Sequence, residues 1–509
     1  MILSPPEERD NHFGRAFVAA LIDISTCGYI IAIGFPYLFQ LHIHLHSRKP
    51  MERKLPLGIK FRYGLADMGF ALITSAMQFF LLFYYTDVAG INSALAGTAL
   101  LVGKLTWDAL NDPLFGYWSD RTRSRFGRRR IYMLIGAVPL GIAACVMFSL
   151  PKGLTGLPAF LAVLLSFWLV DTFHTMTTTP YYAMTPELTR DYNERASLTS
   201  IRMVFSVFGY ILGAASTTIL AGVFQGAGLN LQQAWSTTGA VFGAIAITTT
   251  LVTTFSVREN PALAGMPSQL PAVKAILTSF KNKPFIVLML AFILSSFSFT
   301  VLTALVPYFI QYQLNMKDQV SFVLLVMLVT IGIFLIPAKL VSDRINKGPA
   351  YALGLFIASL AVISSFFFPH AATPLIYVVA AVAGLGFSAQ WVFPWSMLPD
   401  VVEYDEKMTG ERREGIYYGL WAFLTKFTGA LGVAVSGWAL NLFGYVPNVE
   451  QSTQALFGIR LFFAIVPAAV IVISLPFLVW YPITRNKHAA LVKELEELKA
   501  GTRKGEEAI

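Results

Sequence analysis

The sequence predicts an all-α membrane protein with twelve transmembrane helices in two six-helix, pseudo-symmetric halves. Three observations predict it. The 509 residues are 55% hydrophobic and only 13% charged, against about 25% charged in soluble globular proteins. Twelve apolar runs of 18 residues or more follow one another, at roughly 63–85, 94–118, 131–150, 157–182, 198–222, 235–257, 284–312, 320–341, 351–369, 374–398, 416–441 and 457–481. Each is long enough to cross a hydrocarbon core that needs about 20 residues, and none shows the alternation of a membrane β-strand. A Ser-Asp-Arg triplet closes both the second run (Ser119-Asp120-Arg121) and the eighth (Ser342-Asp343-Arg344), six runs apart, as a duplication would place it.

The segment 1–59 precedes this body. Its apolar run 17–40 follows Glu7, Glu8 and Asp10, and no small-residue cleavage site comes after it, so it is not a typical signal peptide. The run is either a thirteenth span, which would put residue 1 outside, or lies before the true start; the reading favoured is that translation begins at Met51, in Met51-Glu52-Arg53-Lys54, which leaves 1–50 outside the native chain. The alternating His42, His44 and His46 lack further ligands nearby, so no metal site is expected. The body is expected to divide into an N-terminal half over 60–257, a central loop over 258–283, a C-terminal half over 284–483 and a tail over 484–509.

The loops alternate in charge. One set carries Arg121, Arg123, Arg125 and Arg128 to Arg130, then Arg190 and Arg195, then Arg258, Lys274, Lys281 and Lys283. It continues with Arg344, Lys347, Lys407, Arg412, Arg413 and the tail from Arg485. The other set holds only Lys152, Lys317 and Arg460. The positive-inside rule then puts both ends of the body, and the C-terminus, in the cytoplasm; a bacterial-type plasma membrane is the expected location. The same bias accounts for the net charge of +9 with no nucleic-acid partner. Cys27 and Cys145 lie inside apolar runs and form no disulfide or metal pattern. Gly97 to Lys104 fails as a phosphate loop, because five residues separate its glycines and Leu105 follows the lysine. An ATP-driven pump is therefore not expected.

Polar residues inside the apolar runs carry the chemistry. Asp108 and Asp112, four apart in the second run, share a helix face. Two mid-membrane carboxylates each cost about 2.5–3.5 kcal/mol on insertion scales. A cation between them, or a proton on one, relieves their repulsion, and oxygen ligands suit a hard ion such as Na+. Structural ion pairing near the cytoplasmic end is the alternative. The loop with Asp120, Arg121, Gly127, Arg128 and Arg129, and its repeat at Asp343 and Arg344, is expected to act in gating. The acidic run 400–406 either closes on Arg128 to Arg130 or is solvated.

The fourth run is polar, with Asp171, His174, Thr175 and Thr177 to Thr179. Asp171 and His174 are three apart, as a proton relay or as interhelical hydrogen bonding would have them. Arg202 opens the fifth span; Trp391 and Trp395 lie one turn apart in the tenth; Tyr417, Tyr418 and Trp421 lead to Lys426 in the eleventh. Aromatic faces stack on the apolar side of sugar rings, and Arg or Lys donates to hydroxyls or carboxylates. Packing accounts for each aromatic singly, and least well for Lys426. The tail's Leu491, Val492, Leu495 and Leu498 share one face of a surface helix.

The loop at 116–130 resembles the signature loop of the major facilitator superfamily. Tyr84-Tyr85-Thr86-Asp87-Val88, Trp107-Asp108-Ala109-Leu110-Asn111-Asp112-Pro113-Leu114-Phe115-Gly116, Pro180-Tyr181-Tyr182-Ala183-Met184-Thr185-Pro186-Glu187-Leu188 and Gly444-Tyr445-Val446-Pro447-Asn448-Val449 resemble the glycoside–pentoside–hexuronide:cation symporter family, typified by melibiose permease. The likeness runs from about Lys60 to Ile483. It implies the major facilitator fold and cation-coupled symport of a sugar, glycoside or uronide by alternating access. It implies no enzyme activity and no cofactor beyond a coupling Na+ or H+. Its partners would be a small-molecule substrate, the cation and the lipid bilayer, the chain acting as a monomer.

The resemblance also implies a cation site at Asp108, Asn111, Asp112 and Thr175, and substrate positions at Tyr182, Arg202, Trp391, Lys426 and Thr178, of which Trp391 and Lys426 match family positions near the sugar or the coupling site. Two departures stand out. The family's two sugar-binding aspartates are Ala71 and Thr178 here, and one extra residue sits near Leu105-Thr106. Lost sugar acceptors beside a retained cation pair also fit a sodium-dependent lysophospholipid symporter. A non-transporting sensor or a membrane-embedded enzyme is the rival of another class, for which Asp171 and His174 are the only candidate pair and lack a third partner.

Overall fold

The computed structural model describes residues 55–189, 192–259, 279–410 and 413–506. The segment before Leu55, with Met51 and the three histidines, lies outside the described residues, as do Arg190, Lys274, Arg412 and most of the central loop. Among the described residues every regular element is helical. Helix α1 (Leu57–Phe83) runs into a wide π-turn, Tyr84–Val88. The second span is α2 (Ser93–Gly103), a π-turn at Lys104–Asp108, and α3 (Ala109–Arg121). Then come α4 (Arg130–Met147), α5 (Gly156–Leu188), α6 (Tyr192–Gly226) and α7 (Leu231–Ser256).

The second half has α8 (Lys283–Tyr308) with a π-turn at Phe309–Gln313, α9 (Val320–Ile345), α10 (Lys347–Ser364), α11 (Leu375–Thr409) and α12 (Glu414–Leu442). The last span is α13 (Thr453–Arg460), a π-turn at Leu461–Ile465 and α14 (Val466–Val479); α15 (Arg485–Glu506) ends the described chain. Among the described residues, eleven spans are long and apolar enough to cross a membrane. The twelfth, residues 93–121, has the length but carries Lys104, Asp108, Asp112, Asp120 and Arg121. With it, the described residues make twelve helical spans.

Local signals start and stop these helices. The Asn92 side chain accepts from Leu95 N at 3.1 Å and caps α2. Asn230 and Gln233 form a capping box at α7, and Asn282 caps α8 ahead of Pro284. Each supplies an acceptor to N–H groups that a first turn leaves unsatisfied. Gly410, at φ 73°, ends α11 in the left-handed conformation glycine adopts without strain.

The described chain forms two compact units. One comprises the described residues of 55–76, 111–152 and 165–259; the other those of 77–110, 153–164 and 279–506. In the first unit α4 packs on α7 and α6 on α7, and glycine lets backbones touch. A Cβ on Gly243 would lie 2.3 Å from the Gly141 carbonyl oxygen, and one on Gly213 would lie 2.4 Å from that of Leu72. In the second unit α11 packs against α9 and α10, α8 against α12 and α14, and α2 against α12. Gly437 faces the Ser93 carbonyl at 2.3 Å from its would-be Cβ. Small residues at such crossings replace the hydrophobic drive that lipid removes.

Candidate transport site

In the first unit, α1, α5 and α6 bring a charged pair into the apolar interior. Asp67 lies ten residues after Leu57 and is 2% exposed. Its Oδ1 accepts from the Tyr182 hydroxyl at 3.1 Å, and its Oδ2 lies 3.2 Å from Arg202 Nε. The Arg202 guanidinium sits over the Tyr182 ring, 4.9 Å from its centroid. Tyr63 and Tyr181 stack behind them at 4.6 Å. The Tyr63 hydroxyl donates to the Tyr181 carbonyl at 2.6 Å, and Tyr181 returns a bond to the Tyr63 carbonyl at 2.9 Å. Tyr182 and Arg202 are thus brought together, by a carboxylate that sequence reasoning missed. The signal was present, since Asp67 is an acid inside an apolar run, one helical turn before Ala71.

The polar face of α5 lies in the same unit. Asn111 donates to Asp171 Oδ2 at 2.9 Å, and Asn111 Oδ1 is buried with no hydrogen-bond partner. His174 Nε2 is 3.3 Å from Thr74 Oγ1. Thr178 donates to the His174 carbonyl at 2.9 Å, so its hydroxyl is satisfied within its own helix. Thr175 is buried, and Asp112 is half-buried in α3. Asn111, Asp112 and Thr175 belong to the first unit, whereas Asp108 belongs to the second.

Asp108 closes the π-turn of the second span. Its carboxylate pairs with Lys426 of α12, whose ammonium also donates to the Asp108 carbonyl at 3.1 Å. The side chains are 9% and 27% exposed. The extra residue near Leu105-Thr106 falls inside this π-turn, which absorbs one residue without ending the helix. The aromatics ahead of Lys426 divide in two. Trp421 is buried against Phe292 at 4.1 Å and Tyr417 accepts from Asn282 at 3.1 Å, both as packing. Trp391 is half-buried on α11, while Trp395 and Tyr418 are exposed.

The Arg-rich loop forms a dense network in the first unit. Asp120 Oδ1 lies 2.9 Å from Arg129 Nη2, and Glu187 Oε1 meets both Arg129, at 3.3 Å, and Arg128. Glu259 accepts from the backbone N–H groups of Arg128, Arg129 and Arg130 at 2.6–2.7 Å, capping α4 where the helix dipole favours an anion. Gly127, at φ 108°, admits that carboxylate, since a Cβ there would lie 2.8 Å from Glu259 Oε1. Arg121 covers the Tyr117 ring at 3.6 Å. The repeat is different, because Asp343 and Arg344 are exposed and Asp343 pairs with Lys339 on its own helix at 2.8 Å. In the second unit the acidic run has its own partners. Asp400 pairs with Lys347 at 2.7 Å, Asp405 with Arg413 at 2.6 Å, and Glu403 with His488 at 2.8 Å.

At the other end of the second unit, two motif segments meet around Asp87. Its carboxylate accepts from Thr86 at 2.6 Å, from Tyr445 at 2.6 Å and from Tyr312. Asn448 donates to the Asp87 carbonyl at 2.6 Å and, through its backbone N–H, to the Tyr312 hydroxyl at 3.0 Å. Burial first, then the negative Asp87, pushes the Tyr445 phenol far above its usual range, so it remains a donor.

Twelve helical spans in two halves, with charged pairs buried inside apolar helices, define a membrane transporter of the major facilitator fold. Residues 62–485 match the family described as "MFS/sugar transport protein", and the chain belongs to it. It is 30% identical over 444 residues to the "Uncharacterized symporter YnaJ" of Bacillus subtilis, covering 87% of this chain and 96% of that one. It is 27% identical over 493 residues to the "Sodium-dependent lysophosphatidylcholine symporter 1-A" of Danio rerio, covering 90% and 91%. The fold is similar to the crystal structure of a bacterial homolog of the human lysosomal transporter Spinster. The TM-score there is 0.62 at 16% identity, covering 87% of this chain and 99% of that one.

Proposed function

We propose that the chain is a cation-coupled symporter of a sugar, glycoside or uronide. Na+ or H+ is the coupling ion at Asp108 and Asp112, and the two six-helix halves rock to give alternating access. The observation that carries this reading is the ion pair of Asp108 in the second span with Lys426 in α12. An intramembrane carboxylate held by a tethered ammonium is a cation site with a built-in competitor: an arriving Na+ or H+ displaces the lysine, and the lysine returns when the ion leaves. Asp112, one turn on, adds a second carboxylate on the same face. The sodium dependence in the zebrafish relative's name and the sugar-transport description of the family support ion and solute respectively. Coupling requires each ligand to raise the other's affinity by the same factor, and a potential of 100 mV adds about 2.3 kcal/mol per charge moved. The basic loops orient the chain with its C-terminus in the cytoplasm, and one copy suffices.

The test is uptake into proteoliposomes, with imposed Na+ or H+ gradients, of sugars, glycosides, uronates and lysophosphatidylcholine. Gradient-driven accumulation of a sugar-class solute is expected, and Asp108→Asn and Asp112→Asn are expected to abolish it. Undiminished coupling in both variants refutes the ion assignment. Accumulation of the lysolipid alone favours the lipid-carrier reading, and no flux of any solute favours a sensor.

A further inference from the structure

We propose that Asp67 is the specificity-determining carboxylate of the substrate pocket, and that with Arg202 and Tyr182 it selects an uncharged polyhydroxylated substrate over an anionic one. The inference rests on the transport reading above and narrows its substrate class. Where the family resemblance leads one to expect a carboxylate, α1 has Ala71, which is buried and apolar. Asp67 lies four residues earlier on the same helix, hence on the same face.

Three features set this pair apart from ordinary helix-to-helix glue. The contact is single rather than a two-pronged fork. Arg202 Nε is 3.2 Å from Asp67 Oδ2, yet this buried nitrogen has no hydrogen-bond partner. A guanidinium has five N–H donors, so its donating capacity exceeds what Asp67 takes. The third feature is Tyr182, which is 43% exposed and offers a ring beneath the guanidinium. The cluster therefore holds a buried acceptor and spare donors together beside the part-exposed Tyr182 ring. A hydroxyl is both donor and acceptor, so vicinal hydroxyls satisfy Asp67 and Arg202 at once, and the apolar side of a pyranose covers Tyr182.

The charge balance supplies the selectivity. Asp67 already neutralises Arg202, so a uronate, sulfonate or phosphate brought to the guanidinium would sit beside a buried carboxylate of like charge. Removing the Asp67 charge should release Arg202 for the anion. The side chain is thus an anion filter, and its loss should change which substrate is accepted.

The test uses matched pairs that differ only at C6: 4-nitrophenyl glucoside against its glucuronide, and the galactoside against its galacturonide. Binding to the purified full chain is measured by calorimetry for the wild type, Asp67→Asn and Asp67→Glu. The wild type should bind the neutral member of one pair at least tenfold more tightly than its uronide. Asp67→Asn should weaken the glycoside about tenfold and strengthen the uronide about tenfold, whereas Asp67→Glu should keep the wild-type preference. Should Asp67→Asn fail to yield folded protein, Tyr182→Phe, which removes the hydroxyl holding Asp67 Oδ1, should narrow the same ratio. A wild type that prefers the uronide, or a ratio unmoved by the substitutions, overturns the inference while leaving sugar transport intact. Binding of neither member of either pair overturns the sugar reading itself.

Discussion

Replacing Lys426 by methionine keeps the stem and removes the charge, leaving Asp108 as an intramembrane carboxylate without its ammonium. Breaking a fully buried ion pair from one side costs about 3–5 kcal/mol. Lys426 is 27% exposed and Asp108 9%, so solvent reaches the lysine end and the expected cost falls to about 2–3 kcal/mol. That is roughly a thirtyfold to 150-fold shift in the unfolding equilibrium. Asp108→Asn strands an ammonium that can reach water, and should cost about 1–2 kcal/mol. The double variant carries neither charge. Its cost should fall short of the sum by about 2 kcal/mol, within the range for groups in direct contact. The assay is denaturant unfolding of the purified chain in micelles, followed by tryptophan fluorescence.

A second arm tests what the carboxylate is for. With the lysine gone, Na+ should stabilise Lys426→Met more than the wild type, by about 2.7 kcal/mol at a hundred times its dissociation constant, and choline should not. Additive single costs would refute the pairing. Coupled costs without a Na+ effect would leave a structural ion pair and refute the cation role.

Three further outcomes follow from the geometry. Tyr445→Phe removes one hydrogen bond to the buried Asp87 carboxylate and should cost about 1.5–3 kcal/mol of unfolding free energy; a change below about 0.5 kcal/mol, the usual scatter of surface substitutions, would count against the cluster. Gly213→Ala places a Cβ 2.4 Å from the Leu72 carbonyl oxygen, whereas Gly222→Ala meets nothing within 4 Å. The first should lose about 1–3 kcal/mol, seen as a lower melting point and aggregation on size-exclusion chromatography, and the second should behave as wild type. Glu259→Ala removes the acceptor for three backbone N–H groups and should cost about 1–2 kcal/mol, read in the same unfolding assay, with Glu259→Gln retaining part of it.

How far the sequence could be read depended on how local each cause is. The spans are set by runs of about 20 apolar residues, which need no partner, so all twelve could be placed from the sequence. The Asp108–Asp112 spacing and the Asp120–Arg129 loop are also local. Asp67 escaped notice because its meaning comes from Arg202, 135 positions away on another helix, and because the position to inspect by resemblance was Ala71. Glu187 and Glu259 escaped for the same reason: nothing near them in sequence says that they will meet Arg128 to Arg130. The two Ser-Asp-Arg triplets are alike as text and unlike in place. One lies in a network with a buried glutamate and the other on an exposed helix end, because packing, not the triplet, sets the environment. Tyr417 and Trp421, read as possible sugar platforms, prove to be packing against α8.

The extra residue near Leu105-Thr106 shows how local and distant causes meet. An inserted residue in an α-helix would rotate everything on one side of it by about 100° and shift it by about 1.5 Å. Here α2 must meet α12 twice, through the close contact of Gly97 with Ala434 and through Asp108 with Lys426, so neither side is free to turn. The wide turn at Lys104–Asp108 takes up the residue and keeps both contacts. Deleting Thr106 should therefore restore an ordinary α-helix at the expense of one contact. If the glycine crossing dominates, Asp108 rotates away from Lys426, and the coupling energy between positions 108 and 426, measured by the same double-variant cycle, should fall from about 2 kcal/mol to below about 0.5 kcal/mol. Were the deletion to leave both that coupling and the melting temperature at wild-type values, the turn would have no part in setting the register, and the placement of Asp108 would need another cause.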